Sequence, residues 1–164
     1  MTVSSQMKEL KLTIYQKYFF KYLVLDNFLD ENDFKFLSNR VPINQVPPDR
    51  MSEFVWYIID PKANKISSLK GGIKDAIPIP NLKSMHTKYS PILDQILFKL
   101  SPLKSHLIDR YDYQLTVSGK DYKYQIHDDV PHKLLSTVIY LYPEDNFGTF
   151  LHSSLEAKEG FNPS

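Results

Sequence analysis

The sequence predicts an α+β fold, with helices and mixed structure in its first half and antiparallel strands in its second. Three observations carry this. Met85, Tyr89, Ile92, Ile96 and Leu100 recur at spacings of three or four, the period of a helix with one apolar face. From Leu103 onward the period falls to two: Leu107, Tyr111, Tyr113, Leu115 and Val117 alternate with Ile108, Arg110, Asp112, Gln114 and Thr116. Turn signals, Ser118-Gly119-Lys120-Asp121 and Pro143-Glu144-Asp145-Asn146, then separate successive β-prone runs.

Taken in order, residues 1–17 are polar and lysine-rich and read as a frayed start or a first edge strand. Phe20 to Phe28, centred on Tyr22-Leu23-Val24-Leu25, is a strand candidate. Asp30 is suited to cap a helix, with Glu31 and Asp33 in its first turn and Phe34 and Leu37 on one face. That helix should end before Pro42, and 41–52, with Pro42, Pro47 and Pro48, should be a loop. Phe54 to Ile59 is a strand, ended by Asp60-Pro61. Residues 61–82 are mixed, and 83–100 form the helix, within which Ser90-Pro91 offers a second helix start. Its apolar stripe reads as core packing. Tyr122, Tyr124 and Ile126 alternate with Lys123, Gln125 and His127, Leu134 to Tyr142 is the most β-prone run, and Gly148 to His152 begins another strand.

A chain of 164 residues suits a single domain, 1–164, with 1–20 as its frayed start and 103–152 as its β region. With 20 basic and 19 acidic side chains, the net charge of +1 gives no electrostatic case for nucleic acid or an anionic membrane. The chain has no cysteine, which excludes disulfides, thiolate metal sites and cysteine nucleophiles. No membrane-length apolar run and no signal peptide are visible, so a soluble, cytoplasmic protein is expected. Gly71-Gly72, the only glycine pair, lacks the residues of a phosphate loop, and Ser153-Ser154 beside His152 lacks a nucleophile elbow. The tyrosines at 111, 113, 122 and 124 are taken as sheet and pocket lining, because no basic groove accompanies them.

His127 and Asp129 are separated by one residue, so in an extended segment both project to one side. Imidazole plus carboxylate is two-thirds of the facial triad that holds non-heme Fe(II). The bland reading is a solvated turn in which an Asp caps backbone N–H groups. The frame is more specific: Tyr124 lies three residues before His127, a strand ending in Tyr140-Leu141 follows, then a turn and Gly148-Thr149.

That frame, Tyr-x-x-His-x-Asp through Gly148, resembles the prolyl-hydroxylase-like branch of the 2-oxoglutarate/Fe(II)-dependent dioxygenases. Tyr22 to Leu29 before an acidic helix start is similar to the opening of that domain. The resemblance implies helices backing a double-stranded β-helix, or jelly roll. It implies iron on His127 and Asp129, 2-oxoglutarate contacted by Tyr140 and Tyr124, and hydroxylation of a protein side chain, nucleobase or small molecule. The family also has a distal His and a basic anchor for the cosubstrate, both several strands downstream. His152 is the candidate third ligand, with a strand-end surface histidine as the alternative. His132 lies in the following loop, and His106 and His86 lie on elements without metal-like spacing. Three or four further strands need roughly 30–50 residues, whereas only residues 153–164 follow His152. The expectation is therefore a jelly roll truncated at its C-terminal end or completed by another chain. The rival is a non-catalytic jelly-roll binding or assembly domain, self-associating through open strand edges.

Overall fold

The computed structural model describes residues 14–17, 20–40, 47–49, 51–69, 77–123, 125, 127, 129, 131–141, 149–152 and 160–161, without the side chains of 17, 20, 52–55, 69, 152 and 161. The expectations for 1–13, Pro42, Gly71-Gly72, Tyr124, Ile126, the 143–146 turn, Gly148 and Ser153-Ser154 lie outside them. The architecture is α+β, with three antiparallel sheets and two α-helices among the described residues.

β1 (Tyr15–Lys17) and β2 (Phe20–Tyr22) form the first sheet, in which the rings of Tyr15 and Tyr22 stack 5.4 Å apart. The strand expected through Phe28 stops at Tyr22. The chain then turns into the first helix, with Asn27 at a positive φ of 54°, a left-handed conformation outside the regular extended range of a strand. Leu23, Leu25 and Phe28 pack against the core and Leu29 is buried in it.

α1 (Glu31–Ser38) starts where the sequence places it. The Asp33 N–H donates to Asp30 Oδ1 at 2.8 Å, and the Phe34 N–H donates to the Asp30 carbonyl at 2.9 Å. The first satisfies a donor that a helix start otherwise leaves unpaired, and the second is the first intrahelical bond. Leu37 faces the core.

β3 (Met51–Asp60) is longer than expected and is the central strand of the second sheet, order β4-β3-β5, with a register irregularity between Glu53 and Val55 in its pairing with β5. β4 (Lys65–Leu69) lies within the stretch read as mixed. Its hairpin closes because Asp60 Oδ1 accepts the Ala63 N–H at 2.8 Å and Asn64 takes a φ of 48°. Asp and Asn are suited to these turn positions.

α2 (Ile79–Leu100) is one continuous helix, with Pro91 inside it rather than opening a second one. Its buried residues Leu82, Tyr89, Ile92 and Ile96 form one cluster with Tyr57 and Ile59 of β3 and with Leu29 and Leu37, and Leu97 is buried as well. A proline in a helix interior costs about 3 kcal/mol, and burial of this stripe offsets it. The Tyr57 hydroxyl donates to the Ile77 carbonyl at 2.7 Å, tying the approach to α2 onto the sheet.

A 3-10 turn, Ser105–Leu107, takes the place of the expected early part of the next strand. β5 (Tyr111–Ser118) then alternates half-buried and exposed residues, with Tyr111, Tyr113, Leu115 and Val117 on the inner face as their spacing requires. The turn after β5 packs against the Pro47-Pro48 backbone. Asp121 N–H donates to the Pro48 carbonyl at 2.8 Å, and a Cβ on Gly119 would sit 2.2 Å from the Pro47 oxygen. Gly119→Ala is therefore expected to lower stability by about 1–3 kcal/mol, read as a lower urea midpoint.

The run from Leu134 to Tyr142 is the main correction. Its described residues, 134–141, pair with no strand. Leu135 and Leu141 pack against the core, while Val138 and Ile139 are 60% and 43% exposed. The expected continuation over 122–127 likewise forms no ladder at residues 122, 123, 125 and 127. β-propensity describes fit to a pleated surface and does not by itself supply a neighbouring strand. β6 (Leu151–His152) pairs with β7 (Gly160–Phe161), a partner the sequence pattern did not announce. Among the described residues no helix is long and apolar enough to cross a membrane.

Candidate metal centre

Among the described residues between 125 and 136, His127 contacts Gln125, and Asp129 contacts Lys133 and Ser136. His127 Nδ1 lies 2.9 Å from the Gln125 carbonyl oxygen. A carbonyl only accepts, so Nδ1 must carry the proton. In the neutral ring the lone pair then sits on Nε2, the nitrogen a metal would take. A metal-binding imidazole is commonly oriented in this way, with its second nitrogen donating to a backbone carbonyl.

Asp129 is held from both sides. Lys133 Nζ donates to Oδ1 at 2.7 Å, and the Ser136 hydroxyl donates to Oδ2. Partial burial pushes the Asp129 carboxyl up. Hydrogen bonds from Lys133 and Ser136, with the Lys133 charge, outweigh that and hold its pKa below the ordinary value of 3.8, and His127 adds to this only when its ring is protonated. Asp129 is thus an anion at neutral pH, and the His127 ring is close enough to influence it.

The other candidates are more scattered. The Tyr140 hydroxyl hydrogen-bonds Thr149 Oγ1, which links the 134–141 segment to the residues just before β6. His152 lies in β6, and its side chain, like Tyr124, is outside the described residues. His132 is exposed in the turn after Pro131, and His106 is exposed in the 3-10 turn. His86 belongs to the helix–sheet interface, where its Nδ1 lies 2.9 Å from the Tyr113 hydroxyl and its ring meets Tyr111 edge-on at 4.8 Å. Burial pushes the His86 pKa down, against the pull of Asp94, as suits a neutral, packed histidine. Asp94 in turn accepts from the Tyr111 hydroxyl.

The donor types and the fixed tautomer fit two positions of a facial triad. Among the described residues no group of three His, Asp or Glu is placed to hold one ion. Lys133 and Ser136 were not anticipated as partners of Asp129. The signal was present for Lys133, four residues after Asp129. Neither was the polar cluster around Asp30, where Lys88 bonds Asp30 and Asp33, and the Tyr89 hydroxyl donates to Asp33 at 2.7 Å. No family model, curated protein or solved structure matches the chain.

Proposed function

We propose that this chain is an Fe(II)/2-oxoglutarate-dependent dioxygenase or a relative of one, with a double-stranded β-helix core and His127 and Asp129 as two of the metal donors. The observations that support this most are His127 Nδ1 placed 2.9 Å from the Gln125 carbonyl oxygen, which leaves Nε2 as the metal-facing nitrogen, and, two residues on, an Asp129 carboxylate oriented by Lys133 and Ser136. A neutral imidazole nitrogen and a carboxylate oxygen are the donors this iron chemistry uses. When bound, Fe(II) and 2-oxoglutarate together supply O2 activation for oxidation of a substrate C–H bond. The chain's own residues would bind and orient. His127 presents Nε2, Asp129 supplies the negative charge, and the Tyr140 hydroxyl, with Tyr124, is assigned to the cosubstrate. His152 is assigned to the third position. The α+β layout, with α2 packed on the antiparallel β4-β3-β5 sheet, is compatible with helices backing such a core.

A second reading, a non-catalytic binding or assembly domain, is favoured by one contact set: both Asp129 oxygens already have protein partners. The two readings separate in one experiment. Fe(II) and then 2-oxoglutarate are added anaerobically, and the weak metal-to-ligand charge-transfer absorption is followed. The dioxygenase reading expects the band in the wild type and its loss, with at least a tenfold weaker Fe(II) affinity, in His127→Ala. No band, with Fe(II) affinity unchanged in His127→Ala, leaves the non-catalytic reading.

A further inference from the structure

We propose that Lys133 is a built-in counter-ion of Asp129 that competes with a divalent cation for its carboxylate and weakens cation binding there. This rests on the reading of His127 and Asp129 as metal donors. Lys133 Nζ lies 2.7 Å from Asp129 Oδ1, the distance of a charge-assisted hydrogen bond. An ammonium in that place and a divalent cation bound to the same carboxylate would repel each other at a separation of a few ångströms. The ammonium therefore competes with a divalent cation for Oδ1 and weakens its binding.

The contact is built to exchange. The Lys133 and Asp129 side chains are 49% and 41% exposed. An ion pair that open to solvent stabilises little and is released easily. The Lys133 stem is flexible and its ammonium is well hydrated once it swings away. Ser136 is different in kind. Its hydroxyl is neutral and bonds the other oxygen, Oδ2. It can stay in place while a cation occupies Oδ1, and there it orients the carboxylate as an outer hydrogen bond. Lys133 thus lowers the cation affinity of the site, and Ser136 positions the ligand.

The test uses Mn(II) as the probe on the full chain, with its affinity read by calorimetry and by the electron paramagnetic resonance signal of the free ion. Lys133→Met should bind Mn(II) about tenfold more tightly than the wild type, since a neutral residue replaces a like charge. Lys133→Gln should show the same gain, and Lys133→Arg, which keeps the charge, should stay near the wild type. The double variant His127→Ala/Lys133→Met should lose the gain. Equal or weaker binding by Lys133→Met and Lys133→Gln, with loss in His127→Ala, overturns the competition and leaves the donors standing. A gain that persists without His127, or no Mn(II) binding in any variant, overturns both the competition and the donor assignment.

Discussion

Leu82→Ala should destabilise the folded chain by about 2–5 kcal/mol. Leu82 is 2% exposed, near the start of α2, and belongs to one cluster with Tyr57, Ile59, Tyr89, Ile92 and Ile96. Truncation removes apolar contact and leaves a cavity between a helix and a sheet, neither of which can close in freely. The effect should appear as a lower urea midpoint with an unchanged slope. A loss below about 1 kcal/mol would mean that α2 does not pack on β3 as described.

The second large effect belongs to Lys88→Met, expected to cost about 1–3 kcal/mol, between the values of exposed and buried ion pairs. Lys88 joins α2 to the capped start of α1 through Asp30 and Asp33. The three side chains are 24%, 31% and 24% exposed, so the pair is partly screened and the buried-pair figure does not apply in full. Removing the ammonium leaves two carboxylates near each other, served among the described residues by the Tyr89 hydroxyl and the Asp33 N–H. The Lys88 hydrogen bond, then the Asp33 N–H, hold the Asp30 pKa below 3.8 against partial burial. Burial works against the Lys88 ammonium, but its bonds to Asp30 and Asp33 outweigh that and hold its pKa above 10.5.

The signs follow from linkage. Asp30, depressed on folding, contributes stability that is present above 3.8 and lost as pH falls through its lowered value. Lys88, raised on folding, contributes stability that is complete below 10.5 and lost only as pH rises through its raised value. The difference in stability between wild type and Lys88→Met should therefore be flat from about pH 5 to pH 9 and shrink below about pH 4. Chemical denaturation at several pH values checks this, and a difference that grows in acid would contradict it.

The helical half of the fold was legible because local signals and tertiary packing agree there. Asp30 caps α1 through its own neighbour Asp33, and of the α2 stripe Tyr89, Ile92 and Ile96 are buried while Met85 and Leu100 pack half-buried against the core. β3 and β5 were legible for the same reason. Tyr57 and Ile59 alternate inward, as do Tyr111 and Tyr113. The hairpin through Asn64 was hidden because its closure depends on one side-chain bond and one left-handed residue. The 134–141 segment failed in the opposite direction. Its composition favours a strand, but a strand also needs a partner edge, and none lies against it among the described residues.

The site divides in the same way. The spacing of His127 and Asp129 was visible in the sequence, and reading them as metal donors rested on the frame around them and the resemblance it carries. The consequences of that pair were not visible, because they depend on the Gln125 carbonyl, Lys133 and Ser136, which act through geometry. Lys88 lay 58 residues from Asp30, beyond any local pattern.

The central claim is that His127 Nε2 and the Asp129 carboxylate share a divalent ion. Paramagnetic broadening by sub-stoichiometric Mn(II) in two-dimensional NMR tests it most directly, with long-range spectra of the histidine side chains. The account predicts that the His127 ring and the amides of 127 and 129 broaden first, while the His86 and His106 rings persist. Uniform weak broadening, or broadening centred on another acidic group while the His127 ring is untouched, would contradict it.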